Sequence, residues 1–141
     1  MKYLKHISKA LTLLSLTAIL LFCNSCKKEE STPEDEFYVK YDFEWTISVG
    51  RIVTFVVEYK DADGIMRQTE TKGGFETTIG PVKKGFQAEI VARDKYPQTN
   101  EYHLRLKLKI FTSKNNGPFA EKAVNDSSDP RSKAALYYTI K

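Results

Sequence analysis

Phe37-Tyr-Val-Lys-Tyr-Asp-Phe-Glu-Trp-Thr-Ile47 decides the fold class. Phe37, Val39, Tyr41, Phe43, Trp45 and Ile47 fall on one face of an extended chain, and Tyr38, Lys40, Asp42, Glu44 and Thr46 fall on the other. That period of two is the signature of a half-buried strand, because successive side chains of a strand leave opposite faces.

Outward from this segment the same signal recurs. Arg51 to Lys60 alternates with Val53, Phe55, Val57 and Tyr59 inward, and its β-branched content suits a pleated surface. Asp61-Ala62-Asp63-Gly64 reads as a turn returning the chain into a strand over Ile65 to Thr71. Gly73-Gly74 marks a break before a short strand, Phe75 to Ile79, and Gly80-Pro81-Val82-Lys83-Lys84-Gly85 reads as the next turn. Phe86, Ala88, Ile90 and Ala92 form another alternating set. Beyond a polar loop containing Pro97, Tyr102, Leu104, Leu106, Leu108 and Ile110 alternate with His103, Arg105, Lys107 and Lys109. A loop is expected over Thr112 to Lys133, rich in Gly, Asn, Asp and Pro, before a last strand from Ala134 to Ile140. About seven short strands, with no helical run after residue 37 and no internal repeat, predict an all-β, immunoglobulin-like antiparallel β-sandwich over residues 37–141.

The segment upstream reads differently. Met1 to Lys9 is basic, Ala10 to Phe22 is apolar, and Cys23-Asn24-Ser25-Cys26 follows, the layout of a secretory signal peptide over residues 1–25. Thirteen apolar residues would rise roughly 20 Å as a helix, short of the roughly 30 Å bilayer core. A cleaved signal is therefore expected rather than a permanent span. Residues 26–36, beginning Cys-Lys-Lys-Glu-Glu and containing Pro33, are charged and lack apolar periodicity, as in a solvated tether.

Charge bounds the partners. Of the 22 basic residues, Lys2, Lys5 and Lys9 precede Cys26 while all 18 acidic residues follow it, leaving 19 against 18 in the mature chain. A pI near 9.0 therefore belongs to the leader, and the mature domain carries no electrostatic footprint for nucleic acid.

Cys23 and Cys26 are the only cysteines, and the mature chain has one histidine, His103. Their Cys-x-x-Cys spacing lacks the βαβ context of a redox motif, and zinc would need further ligands. His103 shares its strand face with Arg105 and Lys107, pointing it to water rather than into a catalytic set. The acidic residues are expected on a solvated surface. The Asp61 to Gly64 turn lacks the spaced acids of a calcium loop and reads as hairpin punctuation. The stripe of His103, Arg105, Lys107 and Lys109 suits either anionic headgroups and glycans or, as the preferred reading, protection of a sheet against edge-to-edge pairing. Tyr38, Phe111 and Tyr138 are candidates for an exposed sugar-stacking platform, with core or inter-sheet packing as the default reading for most aromatics. No catalytic, metal or cofactor-binding set is expected.

Two resemblances add to this reading. Ser25-Cys26 after an apolar run resembles the lipobox of bacterial lipoproteins, which implies a diacylglyceryl thioether on Cys26 and cleavage before it. Lys27-Lys28-Glu29-Glu30 resembles the charged export tags of Bacteroidota lipoproteins, implying an outer-membrane address, with cell-surface display or periplasm-facing attachment both open. The order Tyr59-Lys-Asp-Ala-Asp-Gly64, Gly80-Pro-Val-Lys-Lys-Gly-Phe86, Leu106-Lys-Leu-Lys-Ile-Phe111 and Tyr137-Tyr-Thr-Ile140 resembles the small Ig-like lipoproteins of Bacteroidota. These are similar to the domain of mycobacterial small membrane proteins that assist lipid exporters. The resemblance implies the Ig-like fold, while the chain as a whole reads as a membrane-anchored, non-enzymatic binding or accessory module for an envelope component, with a carbohydrate-binding or adhesive surface module as the alternative. The Thr112 to Lys133 stretch, a long loop where the chain departs from the family, is the expected recognition segment.

Overall fold

The computed structural model describes residues 34–48, 52–97, 104–128 and 133–141. Residues 35–141 form a unit of their own, separate from residues 1–34. Cys26, the tether up to Pro33 and His103 lie outside the described residues.

The described chain is an antiparallel β-sandwich of eight strands: β1 (Phe37–Ile47), β2 (Phe55–Lys60), β3 (Met66–Thr71), β4 (Phe75–Val82), β5 (Gln87–Asp94), β6 (Leu104–Lys114), β7 (Ala120–Ser127) and β8 (Lys133–Thr139). One sheet has the order β4-β1-β6-β7, and the other β3-β2-β5-β8. We call them sheet A and sheet B. The two eleven-residue strands, β1 and β6, sit at the centre of sheet A and pair residue for residue from Phe37↔Lys114 to Ile47↔Leu104.

The alternation of β1 survives in full at its first half, where Phe37, Val39, Tyr41 and Phe43 are buried. They meet Val53, Phe55 and Val57 from the β2 side, Ala88, Ile90 and Ala92 from β5, and Leu104, Leu106, Leu108 and Ile110 from β6. Aromatic rings stitch the two sheets together. Phe43 meets Phe55 edge-on at 5.1 Å, while Tyr59 lies 5.7 Å from Tyr41 and 5.4 Å from Phe75. Such pairs add about 0.5–1.5 kcal/mol each beyond the area they bury.

Several boundaries differ from the sequence reading, and β2 begins only at Phe55. β4 does not stop at Ile79 but continues through a cis Gly80–Pro81 peptide to Val82, which pairs with Phe37. Proline is tolerated there because β4 is an edge strand, where a missing ladder donor faces away from the sheet. The turn is correspondingly shorter, closed by Phe86 N–H donating to the Lys83 carbonyl at 3.1 Å.

The largest difference falls in the stretch read as a loop. β6 runs on to Lys114, Asn115 and Asn116 adopt φ of 49° and 60°, and the Gly117 amide donates to the Lys114 carbonyl at 2.9 Å. Two central residues of positive φ define the tight hairpin turn whose twist matches flanking strands. The chain then returns as β7, paired with β6 from Thr112↔Ala120 to Leu106↔Ser127, with a bulge between Ile110 and Phe111. This additional strand, β7, is mostly polar because it lies at the edge of sheet A and most of its residues face solvent.

Strand direction alternates along the chain, so the start of β1, the end of β8 and the β2–β3, β4–β5 and β6–β7 turns share one pole of the sandwich. The remaining connections lie at the other. At the first pole Asn115 fastens the incoming chain: its amide donates to the Glu36 carbonyl at 2.8 Å and its Oδ1 accepts from the Glu36 amide at 2.9 Å.

Candidate functional site

Several of the residues singled out in sequence share the outer face of sheet A. On β6, Arg105, Lys107, Lys109 and Phe111 point away from the core, opposite Thr46, Glu44, Asp42 and Lys40 of β1. β6 is a central strand, flanked by β1 and β7, so the basic stripe guards no edge. Its role is set by its neighbours instead.

Acids stand across the ladder from the basic stripe: Lys109 and Arg105 form ion pairs, and Lys107 lies in register with Glu44 on β1 and Asp126 on β7. Lys109 Nζ lies 3.1 Å from Asp42 Oδ2 and 2.8 Å from Glu44 Oε1, and only 14% of its side chain is exposed. Glu44 holds the Lys109 ammonium above the usual lysine range, and Lys109 in turn holds the Glu44 carboxyl low. Arg105 grips both oxygens of Asp126 on β7, at 2.5 and 2.8 Å. The guanidinium keeps the Asp126 carboxyl below its ordinary range. With Glu44, Trp45, Thr46 and Lys107 this pair lines an open cavity of about 210 Å³. Because the stripe is matched by acids two strands deep, it offers little net field to an anionic polymer.

Nearer the chain's entry pole the same face turns aromatic. Lys40 Nζ sits 4.7 Å from the centre of the Phe111 ring and 5.8 Å from that of Phe119, and it pairs with Glu76 at 3.3 Å. Tyr38 lies two residues along β1, its ring against Gly80, where a Cβ would come within 2.6 Å of Tyr38 Cδ1. Phe119 is 41% exposed, and Val124 on β7 adds further exposed apolar surface. Tyr38 and Phe111 thus share a face, as a stacking platform requires. Tyr138 does not join them: it belongs to β8 of sheet B and packs against the core, while Tyr137 faces solvent. Sequence reasoning missed Phe119 and Asp126 because the hairpin that delivers them was read as a loop; the Asn115-Asn116-Gly117 turn was the signal.

Other candidates resolve differently. Asp61 Oδ1 accepts from the amides of Asp63 and Ile65 at 3.0 and 2.9 Å, and its Oδ2 pairs with Arg67 at 2.6 Å. The Ile65 amide, with Arg67 next, keeps this carboxyl below the usual range. Both oxygens are committed to the hairpin, as punctuation requires. The acids are not all solvated. Asp94 is 3% exposed, and its Oδ1 accepts from the Tyr96 amide at 2.8 Å, closing the turn after β5. Among the described residues, no three His, Cys, Asp or Glu side chains converge as a metal site would need, and no helix is long and apolar enough to cross a membrane.

Compared with known protein families and with curated proteins, the chain matches no family model and no curated sequence.

Proposed function

We propose that the chain is a cell-envelope lipoprotein, acylated at Cys26 and held to the outer membrane, whose β-sandwich is a non-enzymatic binding or accessory module for another envelope component. Each buried methylene contributes about 0.8 kcal/mol, so the two or three chains of a lipidated cysteine anchor a domain stably without a spanning helix. The strand directions agree with such an anchor: the chain enters at one pole, and the strand ends joined by the β1–β2, β3–β4, β5–β6 and β7–β8 connections lie at the far one.

The observation that carries the binding role is the outer face of sheet A. There, the rings of Tyr38, Phe111 and Phe119 are bordered by paired charges, an arrangement that supports a protein partner, since interfaces have an aromatic-enriched centre and a polar rim. The glycan reading uses the same rings, but the Lys40 ammonium lies over Phe111 where a sugar would stack.

Two measurements test the proposal. Intact-mass analysis of membrane-extracted protein should give a chain beginning at acylated Cys26; an unacylated chain retaining Met1 overturns the anchor. Crosslinking in intact cells should join the protein to an envelope protein, and the Phe111→Ala/Phe119→Ala variant should lose that product. Retention of the wild type on a glycan array, lost in the same variant and without any crosslinked protein, would transfer the face to carbohydrate.

A further inference from the structure

A second concavity lies on a different side of the sandwich, between the start of β7 and the end of β8. Farther along these strands the sheets are joined, with Asn125 Nδ2 donating to the Ala135 carbonyl at 2.8 Å. Toward the entry pole a cleft of about 330 Å³ opens between them. Phe37, Thr112 and Ile140, all under a tenth exposed, form its floor, and Pro118, Ala120 and Tyr138 its walls. Its rim is cationic: Lys114, Lys122 and Lys141.

The three lysines are not equivalent. Lys114 is answered by Asp35 at 2.7 Å. No ion pair engages Lys122 or Lys141 among the described residues. Two ammonium groups therefore border one apolar cleft without an ion-pair partner, whereas Lys109 and Arg105 on sheet A each hold an acid.

We infer that this cleft binds a small amphiphilic anion, its apolar body against Pro118, Tyr138 and Ile140 and its carboxylate or phosphate between Lys122 and Lys141. The volume falls at the lower end of the roughly 300–1,000 Å³ typical of small-molecule sites, which are mostly apolar with a few placed polar groups. An anionic head between two ammonium groups gains charge-assisted hydrogen bonds, the stronger kind. The site is separate from the face of sheet A, so failure of either leaves the other standing.

The test uses the full lipoprotein, isotope-labelled and held in nanodiscs of zwitterionic lipid, titrated with water-soluble probes and followed by amide NMR shifts. 4-Phenylbutyrate and phenyl phosphate carry an apolar body with a carboxylate and a phosphate head respectively; the tighter of the two identifies the natural head group. Saturable shifts should appear at Ala120, Lys122, Tyr138 and Lys141. The Lys122→Gln/Lys141→Gln variant, with its remaining spectrum unchanged as a check of folding, should bind at least tenfold more weakly. Equal binding of neutral 4-phenylbutanol would show the lysines to be idle, equal binding of inorganic phosphate would show the apolar floor to be idle, and shifts scattered elsewhere or absent at millimolar probe would remove the site. Each of these three results overturns the inference.

Discussion

The Tyr41 hydroxyl on β1 donates a 2.9 Å hydrogen bond to the backbone carbonyl of Lys60 at the end of β2, tying the centre of sheet A to sheet B through the core. The same oxygen accepts from the Glu89 amide of β5 at 3.4 Å. A fully buried phenol would be a liability without such partners.

Replacing it tests both halves of that relationship. Tyr41→Phe keeps the ring and strands the two backbone groups, and should cost about 1–3 kcal/mol at neutral pH. Burial raises the Tyr41 pKa above its unfolded value, so the folded state retains a proton that the unfolded state loses. The associated stability is complete below about pH 10 and declines as pH rises toward the folded pKa. Urea unfolding at pH 7 and in strong alkali should therefore show the wild type losing its advantage over Tyr41→Phe in alkali; a constant gap would assign the alkaline loss to other groups.

Acid should act through the hairpin of Asp61. Its carboxyl is held low by the Ile65 amide and Arg67, so its contribution is present above the unfolded value, about pH 4, and is lost as pH falls through the depressed folded value. Asp61→Asn preserves acceptor geometry and removes the charge. It should lower the urea midpoint at pH 7, and the difference from the wild type should close near about pH 2, where both carry a neutral side chain. A difference that persists unchanged would assign Asp61 a purely geometric role.

The sandwich was legible where burial imposes a period. Val39, Tyr41 and Phe43 on β1, and Leu104 to Ile110 on β6, alternate because one face meets a core and the other meets water. β7 was not legible for the converse reason: in Ala-Glu-Lys-Ala-Val-Asn-Asp-Ser only Ala123 packs against the core, so the segment carries almost no alternation. Proline at position 81 suggested a turn, and only the edge position of β4 makes it compatible with a strand. The outer face of sheet A was half legible. Arg105, Lys107 and Lys109 stand on one side of a strand by parity alone, yet their pairing with Asp42, Glu44 and Asp126 depends on register between segments far apart in sequence.

Gly80 is where the extended β4 tolerates no side chain. Its φ is +142°, and an added Cβ would meet Tyr38 Cδ1 at 2.6 Å and the Phe37 carbonyl at 3.0 Å. The tyrosine ring can shift, but the backbone oxygen belongs to the β1–β4 ladder. Gly80→Ala should destabilise the domain by about 1–3 kcal/mol. Gly73→Ala is the matched control, with open space around its added methyl and no left-handed backbone, and should leave the thermal midpoint nearly unchanged.

Excision of residues 115–132 separates a loop from a strand. A recognition loop could be removed with folding intact, but this segment contains β7, which pairs with β6 across the length of the hairpin and holds β8 through the Asn125 amide. Its loss would bare the outer edge of β6, uncover Leu108 and Ile110 on the core side, and leave unpaired ladder groups open to other chains. The deletion should therefore abolish cooperative unfolding and drive the protein into aggregates, whereas Asn116→Gly, compatible with the positive φ of the turn, should leave the melting transition intact. A soluble, cooperatively unfolding deletion variant would mean that seven strands suffice and that β7 is an addition to the sandwich rather than part of it.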